Sequence, residues 1–142
     1  MIHSIITSFT GKYRFLSNFY PVDINYESIT YPSVENAYQA AKTTDILQRI
    51  PFQTMSAAQA KRAGKILDIR PDWDEVKKSI MFTLVYNKFK FHPKLGKMLL
   101  DTGNSMLVEG NTWGDTYWGI CNGKGFNHLG DILMKIRNHL RD

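Results

Sequence analysis

Four side chains in the stretch YPSVENAYQAAKT, residues 31–43, have the spacing of one helix face: Glu35, Tyr38, Gln39 and Lys42 stand at i, i+3, i+4 and i+7. A carboxylate and an amine turned to the same side are the residue types that proton transfer and amine nucleophilicity require. The plainer reading is an exposed polar stripe, whose Glu–Gln–Lys ladder would add a few tenths of a kcal/mol. Against it, Ala37, Ala40 and Ala41 make a poor core face of their own.

A second stretch, EGNTWGDTYWGICNGKGFNHLG (109–130), gathers Glu109, Trp113, Asp115, Tyr117 and Trp118 among several glycines. Glycine permits left-handed turns and close backbone approach, and tryptophan offers a stacking plane. The run is not a phosphate-binding P-loop, because no G-K-[ST] ending stands at the required spacing. Nor does it follow a dinucleotide-binding strand–turn–helix plan. Its length without regular structure favours function. Asn127 is placed to cap the last helix, whose start would face the loop and attract phosphate.

Other chemistry is poorly supported. His3, His92, His128 and His139 lack zinc-ligand spacing, and one cysteine adds nothing. His128 and His139 are expected to face solvent. No nucleophile elbow surrounds a serine, and Cys121 reads as a packed thiol near Trp118. No metal and no cofactor are expected.

The elements that must position these residues are mostly helical. HSIITSF suggests a first strand ending at Gly11. VDINYESITYPS alternates Val22, Ile24, Tyr26 and Ile29, Tyr31 about Glu27-Ser28, the pattern of a hairpin. Ser33 is a helix cap, with Glu35 in the first turn. Ser56 and Gln59 have capping-box spacing, repeated by Asp72 and Glu75. The latter pair precedes the longest apolar pattern, Val76, Ile80, Leu84 and Phe91, with Met81 and Val85 alongside. A short helix over PKLGKMLLDTG should stop at a left-handed Gly103. SMLVEG is a second strand candidate. The closing segment is amphipathic on Leu129, Leu133, Ile136 and Leu140. The expected class is α+β, mainly helical with a few short strands, in one domain spanning 1–142.

Size and composition fit that expectation. The 142 residues suit a single domain with a real core. Hydrophobic residues at 43% and charged residues at 22% are ordinary for a globular chain, whereas 13% aromatics leave some to spare for a planar ligand. A net charge of +5 favours phosphorylated ligands, but no block of five like charges supports a nucleic-acid tail. The start of the chain shows no signal-peptide pattern, and no run is long and apolar enough to span a bilayer. With a lone cysteine, these features point to a soluble, cytoplasmic protein.

Three blocks, GKYRFLSNFYP (11–21), YPSVENAYQAAK (31–42) and WGDTYWGICNGKGFNHLGDILMKIR (113–137), resemble the YbiA/NADAR family in order and spacing. The similarity spans nearly the whole chain. The resemblance implies a compact, mainly helical fold and N-glycosidase activity. Its substrate classes are ribosylamino-pyrimidine phosphates of the riboflavin pathway and ADP-ribose attached to guanine, free or in nucleic acid. Carried over position by position, the implied active site is Glu35 and Lys42, lined by Asn18, Phe19, Trp113, Asp115, Trp118 and Gly119. Tyr38 and Arg14 complete the expected substrate-binding set, and Asp115 the catalytic one. Cys121 with Asn122 departs from the other small residue or glycine that many members carry there.

Both implied substrates carry ribose on an exocyclic amino nitrogen, whose lone pair can open the ring to an imine. Lys42 could then displace the base by forming a Schiff base, with Glu35 moving protons. Direct hydrolysis, with Glu35 or Asp115 activating water, is the alternative mechanism. Arg14 and Lys12 are candidate phosphate contacts. A non-catalytic ADP-ribose or nucleotide-binding module is the alternative function. A nucleic-acid-binding protein is a further rival, supported only by the basic pI.

Overall fold

In the computed structural model, which describes residues 4–141, the chain forms two compact units. One is contiguous, Asn18–Lys88; the other takes 4–17 and 89–141 of the described residues. The class is α+β, with six α-helices, two 3-10 helices and three two-stranded sheets among the described residues.

The contiguous unit opens on the expected hairpin. Strands β2 (Ile24–Tyr26) and β3 (Ile29–Tyr31) pair antiparallel, with Ile24 opposite Tyr31. Glu27 and Ser28 both take positive φ, 47° and 72°, which is the two-residue turn whose twist matches the strands. Helix α1 (Val34–Ala40) follows, capped by Ser33, whose hydroxyl accepts the Asn36 N–H at 3.1 Å. It ends two residues short of Lys42, which lies in the turn beyond the C-cap Ala41. All seven residues of α1 are buried. Ala37, Ala40 and Ala41 are fully covered, so the face judged a poor core does pack; small side chains let another helix come close. That helix is α3 (Ala57–Gly64), started by the expected capping box of Ser56 and Gln59. Between them, α2 (Ile46–Arg49) is capped by Asp45, and a 3-10 helix follows at Ile50–Gln53.

Helix α4 (Trp73–Lys90) carries the longest apolar pattern. Ile80, Met81, Leu84 and Val85 are buried as expected. Phe91 is not: it lies past the helix end, 69% exposed, and Phe89 takes the buried position. The Asp72 carboxylate at the helix start is gripped by Arg70, Nε to Oδ1 at 2.6 Å and a terminal nitrogen to Oδ2 at 3.0 Å.

In the other unit, the first strand is only β1 (Ile5–Ile6), and His3 lies outside the described residues. It pairs in parallel with β4 (Met106–Leu107), all that SMLVEG contributes. A 3-10 helix covers Gly11–Leu16 and buries Phe15 and Leu16. Helix α5 (Pro93–Asp101) stops at Thr102, with Gly103 left-handed as expected. Helix α6 (His128–Leu140) packs on β4 and α5 and buries Leu129, Leu133 and Ile136. The glycine-rich run contains a short parallel pair that its sequence did not announce, β5 (Gly110–Asn111) with β6 (Ile120–Cys121).

Candidate active site

Glu35 begins the site. Its backbone N–H, one of the unsatisfied donors at a helix start, donates to the Asn18 carbonyl at 3.0 Å. That bond ties Asn18 to the first turn of α1. The Asn18 amide reaches Met81 Sδ at 3.5 Å, and Phe19 beside it is 38% exposed. The Glu35 side chain is buried, and its Oε2 accepts from Gln39 Nε2 at 2.7 Å. Tyr38 is buried with its ring 5.1 Å from that of Trp73. The helix itself is anchored by Asn36, whose side-chain amide donates to the Phe52 and Met55 carbonyls at 2.9 and 2.8 Å.

Lys42 is partly buried, and its ammonium lies over the Tyr38 ring. Burial lowers its pKa, the Glu35 charge raises it, and Lys77 and Lys65 lower it further; the net direction is down. Although Lys42 has left the helix, both its backbone N–H and its carbonyl are bonded. Its N–H donates to the Gln39 carbonyl at 3.2 Å, and its carbonyl accepts from the Arg70 N–H at 2.8 Å. One residue on, the Thr43 carbonyl accepts from Arg49 Nε at 2.7 Å. Arg49 is itself buried, bonded to Glu27 at 2.7 Å and set over the Tyr26 ring. Sequence reasoning missed Arg49, Arg70 and Asn36 as supports. A buried arginine leaves no periodic signal, and Asn36 was hidden by its place in a helix.

The remaining candidates, Arg14, Trp113, Asp115, Trp118 and Gly119, belong to the other unit. Arg14 is exposed on the 3-10 helix, where Lys12 lies over the Tyr13 ring. Asp115 shapes the loop. Its Oδ1 accepts the N–H groups of Tyr117 at 3.1 Å and Trp118 at 2.9 Å, and its own N–H donates to Asn111 Oδ1 at 3.0 Å. Trp118 is thereby held edge-on to Tyr117, ring centroids 4.7 Å apart, while Trp113 is 62% exposed. Gly119 is buried, and a Cβ there would come within 2.1 Å of the Glu109 carbonyl oxygen, so close strand packing requires glycine.

Two expectations about the end of this loop change. Asn127 stands at the N-cap of α6 but makes no side-chain cap; its amide instead donates to the Leu107 carbonyl and accepts from the Glu109 N–H, both at 3.0 Å. The first N–H groups of α6 are also engaged, His128 with the Tyr117 carbonyl at 3.2 Å and Leu129 with that of Trp118 at 3.0 Å. The helix start therefore fastens the loop, and those donors do not face an anion. His128 does not simply face solvent: its ring packs against Tyr117 and Phe126. Cys121 is a buried thiol, as expected. Among the described residues, no three His, Cys, Asp or Glu side chains cluster to hold a metal, and no helix is long and apolar enough to cross a membrane.

Known proteins resemble this chain in sequence and in fold. The model of the NADAR domain matches residues 7–141. An N-glycosidase of Nostoc punctiforme is 35% identical over 137 residues, covering 92% of this chain and 87% of that protein. N-glycosidase YbiA of Escherichia coli is 35% identical over 137 residues, covering 94% and 85%. A riboflavin biosynthesis protein of Vibrio vulnificus is 37% identical over 135 residues, but the chain spans only 36% of it. The NMR structure of Escherichia coli YbiA superposes with a TM-score of 0.86 at 35% identity, covering 99% of this chain and 87% of that one. With a match to the domain over nearly its whole length, a like fold and these relatives, the chain belongs to the NADAR domain family.

Proposed function

We propose that this protein is an N-glycosidase that cleaves the bond between ribose C1 and an exocyclic amino nitrogen of a base. The substrate is a ribosylamino-pyrimidine phosphate or ADP-ribosylated guanine. Family membership and the names of the relatives support the reaction class. The observation that carries the mechanism is a buried Glu35 in the first turn of α1 together with Lys42, in the turn just past the helix, whose pKa burial lowers and the Glu35 charge raises.

A lowered pKa increases the share of neutral amine, the only form that can attack. The base nitrogen pushes its lone pair toward C1 and the ring C1–O bond breaks, leaving an imine. Lys42 Nζ adds to C1, and the base departs as the free amine after proton transfers through Glu35. Water then adds to the lysine imine, returning the sugar and the free lysine, so one water is consumed overall. Glu35 is the acid/base group because its side chain faces the same side as the amine. Asp115 is better suited to hold the Trp118 platform, since its Oδ1 already accepts two backbone N–H groups. Direct attack of water, activated by Glu35, remains the mechanism to beat.

The test is to incubate the protein with each substrate class, detect released base by mass spectrometry, and add borohydride during turnover. Reduction of the imine should leave the sugar phosphate on a peptide containing Lys42. Lys42→Arg should be inactive, because a guanidinium stays protonated. Failure to trap in the wild type, with substantial activity in Lys42→Arg, would replace the Schiff base by direct hydrolysis. Binding of ADP-ribose with no release from either substrate would make the protein a binding module.

A further inference from the structure

The carboxamide of Gln39 is caught between two groups. One end donates to Glu35, Nε2 to Oε2 at 2.7 Å. The other end, Oε1, is buried and has no hydrogen-bond partner among the described residues. It lies against Gly64 of α3, where an added Cβ would stand 1.8 Å from Oε1 and 2.7 Å from the amide carbon. Buried polar atoms are normally paired, so an acceptor left open beside an acid/base candidate asks for a reason.

Resting on the reading of Glu35 as the acid/base group, we infer that Gln39 is its positioning residue. The Gln39 amide holds Glu35 in both protonation states, and Gly64 provides the room this needs.

An ionised carboxylate only accepts, whereas its protonated form must also place an O–H. An amide carries a donor and an acceptor at the two ends of one plane. With Glu35 ionised, Nε2 donates to it, a charge-assisted bond. When Glu35 holds a proton, a half-turn of the amide brings Oε1 round to accept from the new O–H. Oε1 makes no bond on the Gly64 side, so the turn breaks nothing there. Lys42 feels the Glu35 charge, and Lys65 just after α3 and Lys77 on α4 act on Lys42 in turn. A charged ammonium only donates, whereas the Gln39 amide can both donate and accept. A side chain serving only the charged form would hinder proton uptake, and one serving only the neutral form would hinder proton release to the substrate.

Three variants test this: Gln39→Leu, Gly64→Ala, and Gly64→Ala in a Gln39→Ala background. The Glu35 carboxyl is followed by carbon-13 NMR titration, which needs no substrate and so decides Gln39's hold on Glu35 even if no N-riboside is cleaved. Losing the bond to the charged form should move the Glu35 midpoint upward in Gln39→Leu by on the order of one pH unit. In the same variant kcat should fall about tenfold with KM little changed, and the lower-pH inflection of the pH–rate profile, below the one set by Lys42, should follow the NMR midpoint. Gly64→Ala should lower kcat and thermal stability in the wild type, because its methyl displaces the amide. In the Gln39→Ala background it should cost much less, since the amide contacts have gone and only the 3.3 Å approach to Cβ of residue 39 remains. An unchanged Glu35 midpoint in Gln39→Leu would overturn the proposal. So would a Gly64→Ala penalty of the same size in both backgrounds.

Discussion

The Lys42 nitrogen lies over the Tyr38 ring, 5.8 Å from its centroid, one helical turn beyond it in the chain. A ring face attracts the charged amine, and so does Glu35, yet burial and two other lysines prevail and the pKa is lowered. The sign matters for rate. If the neutral amine attacks, activity rises with pH through the Lys42 pKa, and each unit of lowering multiplies the neutral fraction about tenfold. Lys77→Gln removes one of the repelling charges, so the rising limb should move to higher pH and activity at neutral pH should drop. A pH–rate profile of this variant that coincides with the wild type would separate Lys42 ionisation from turnover.

Glu35→Gln should lose activity by about 10²–10⁴-fold, the range for an acid/base group. The fold should survive. The Ser33 cap and the Asn36 bonds to Phe52 and Met55 do not pass through the Glu35 carboxylate. Steady-state turnover and a thermal melt measured together check both halves. Full activity would reduce Glu35 to a packing residue.

Trp118→Ala should raise KM more than it lowers kcat. A stacking plane acts on ground and transition states alike. The backbone N–H of residue 118 still reaches Asp115 in the variant, so the loop keeps its support. Steady-state kinetics decide it, and a variant that loses its melting transition would assign Trp118 to the core instead.

Asn36→Ala should destabilise the protein by about 3 kcal/mol, because two buried carbonyls lose their donor at once. Urea denaturation measures this. A loss below about 0.5 kcal/mol would mean that the freed carbonyls find other donors.

Local chemistry was legible where one residue type does one job. Ser33, the Ser56–Gln59 box, the Glu27-Ser28 turn and Gly103 each announced their place, because caps and left-handed turns depend on a few neighbouring residues. What escaped depends on partners distant in sequence. Lys42 was expected on the helix, but α1 stops at Ala40, and arginines at 49 and 70 hold the turn it occupies. Asn127 was expected to cap, yet its amide serves Leu107 and Glu109, some twenty residues back. The β5–β6 pair was missed because two-residue strands have no periodicity to read. Glu35 and Lys42 became candidates through a shared face and a resemblance; the lowered pKa of Lys42 comes from burial and from the charges of Lys77 and Lys65, which lie far along the chain.

The way the units divide the chain has a consequence for biosynthesis. Ile5 pairs with Met106, so β1 leaves the ribosome far ahead of its partner. At ordinary elongation speeds that wait is on the order of 5–20 s. Residues 18–88, by contrast, emerge as an uninterrupted stretch containing both sides of the β2–β3 ladder and of the α1–α3 packing. The contiguous unit can therefore fold while the nascent N-terminal segment still lacks its strand, and the order of translation favours the Glu35 helix maturing before the Trp118 loop.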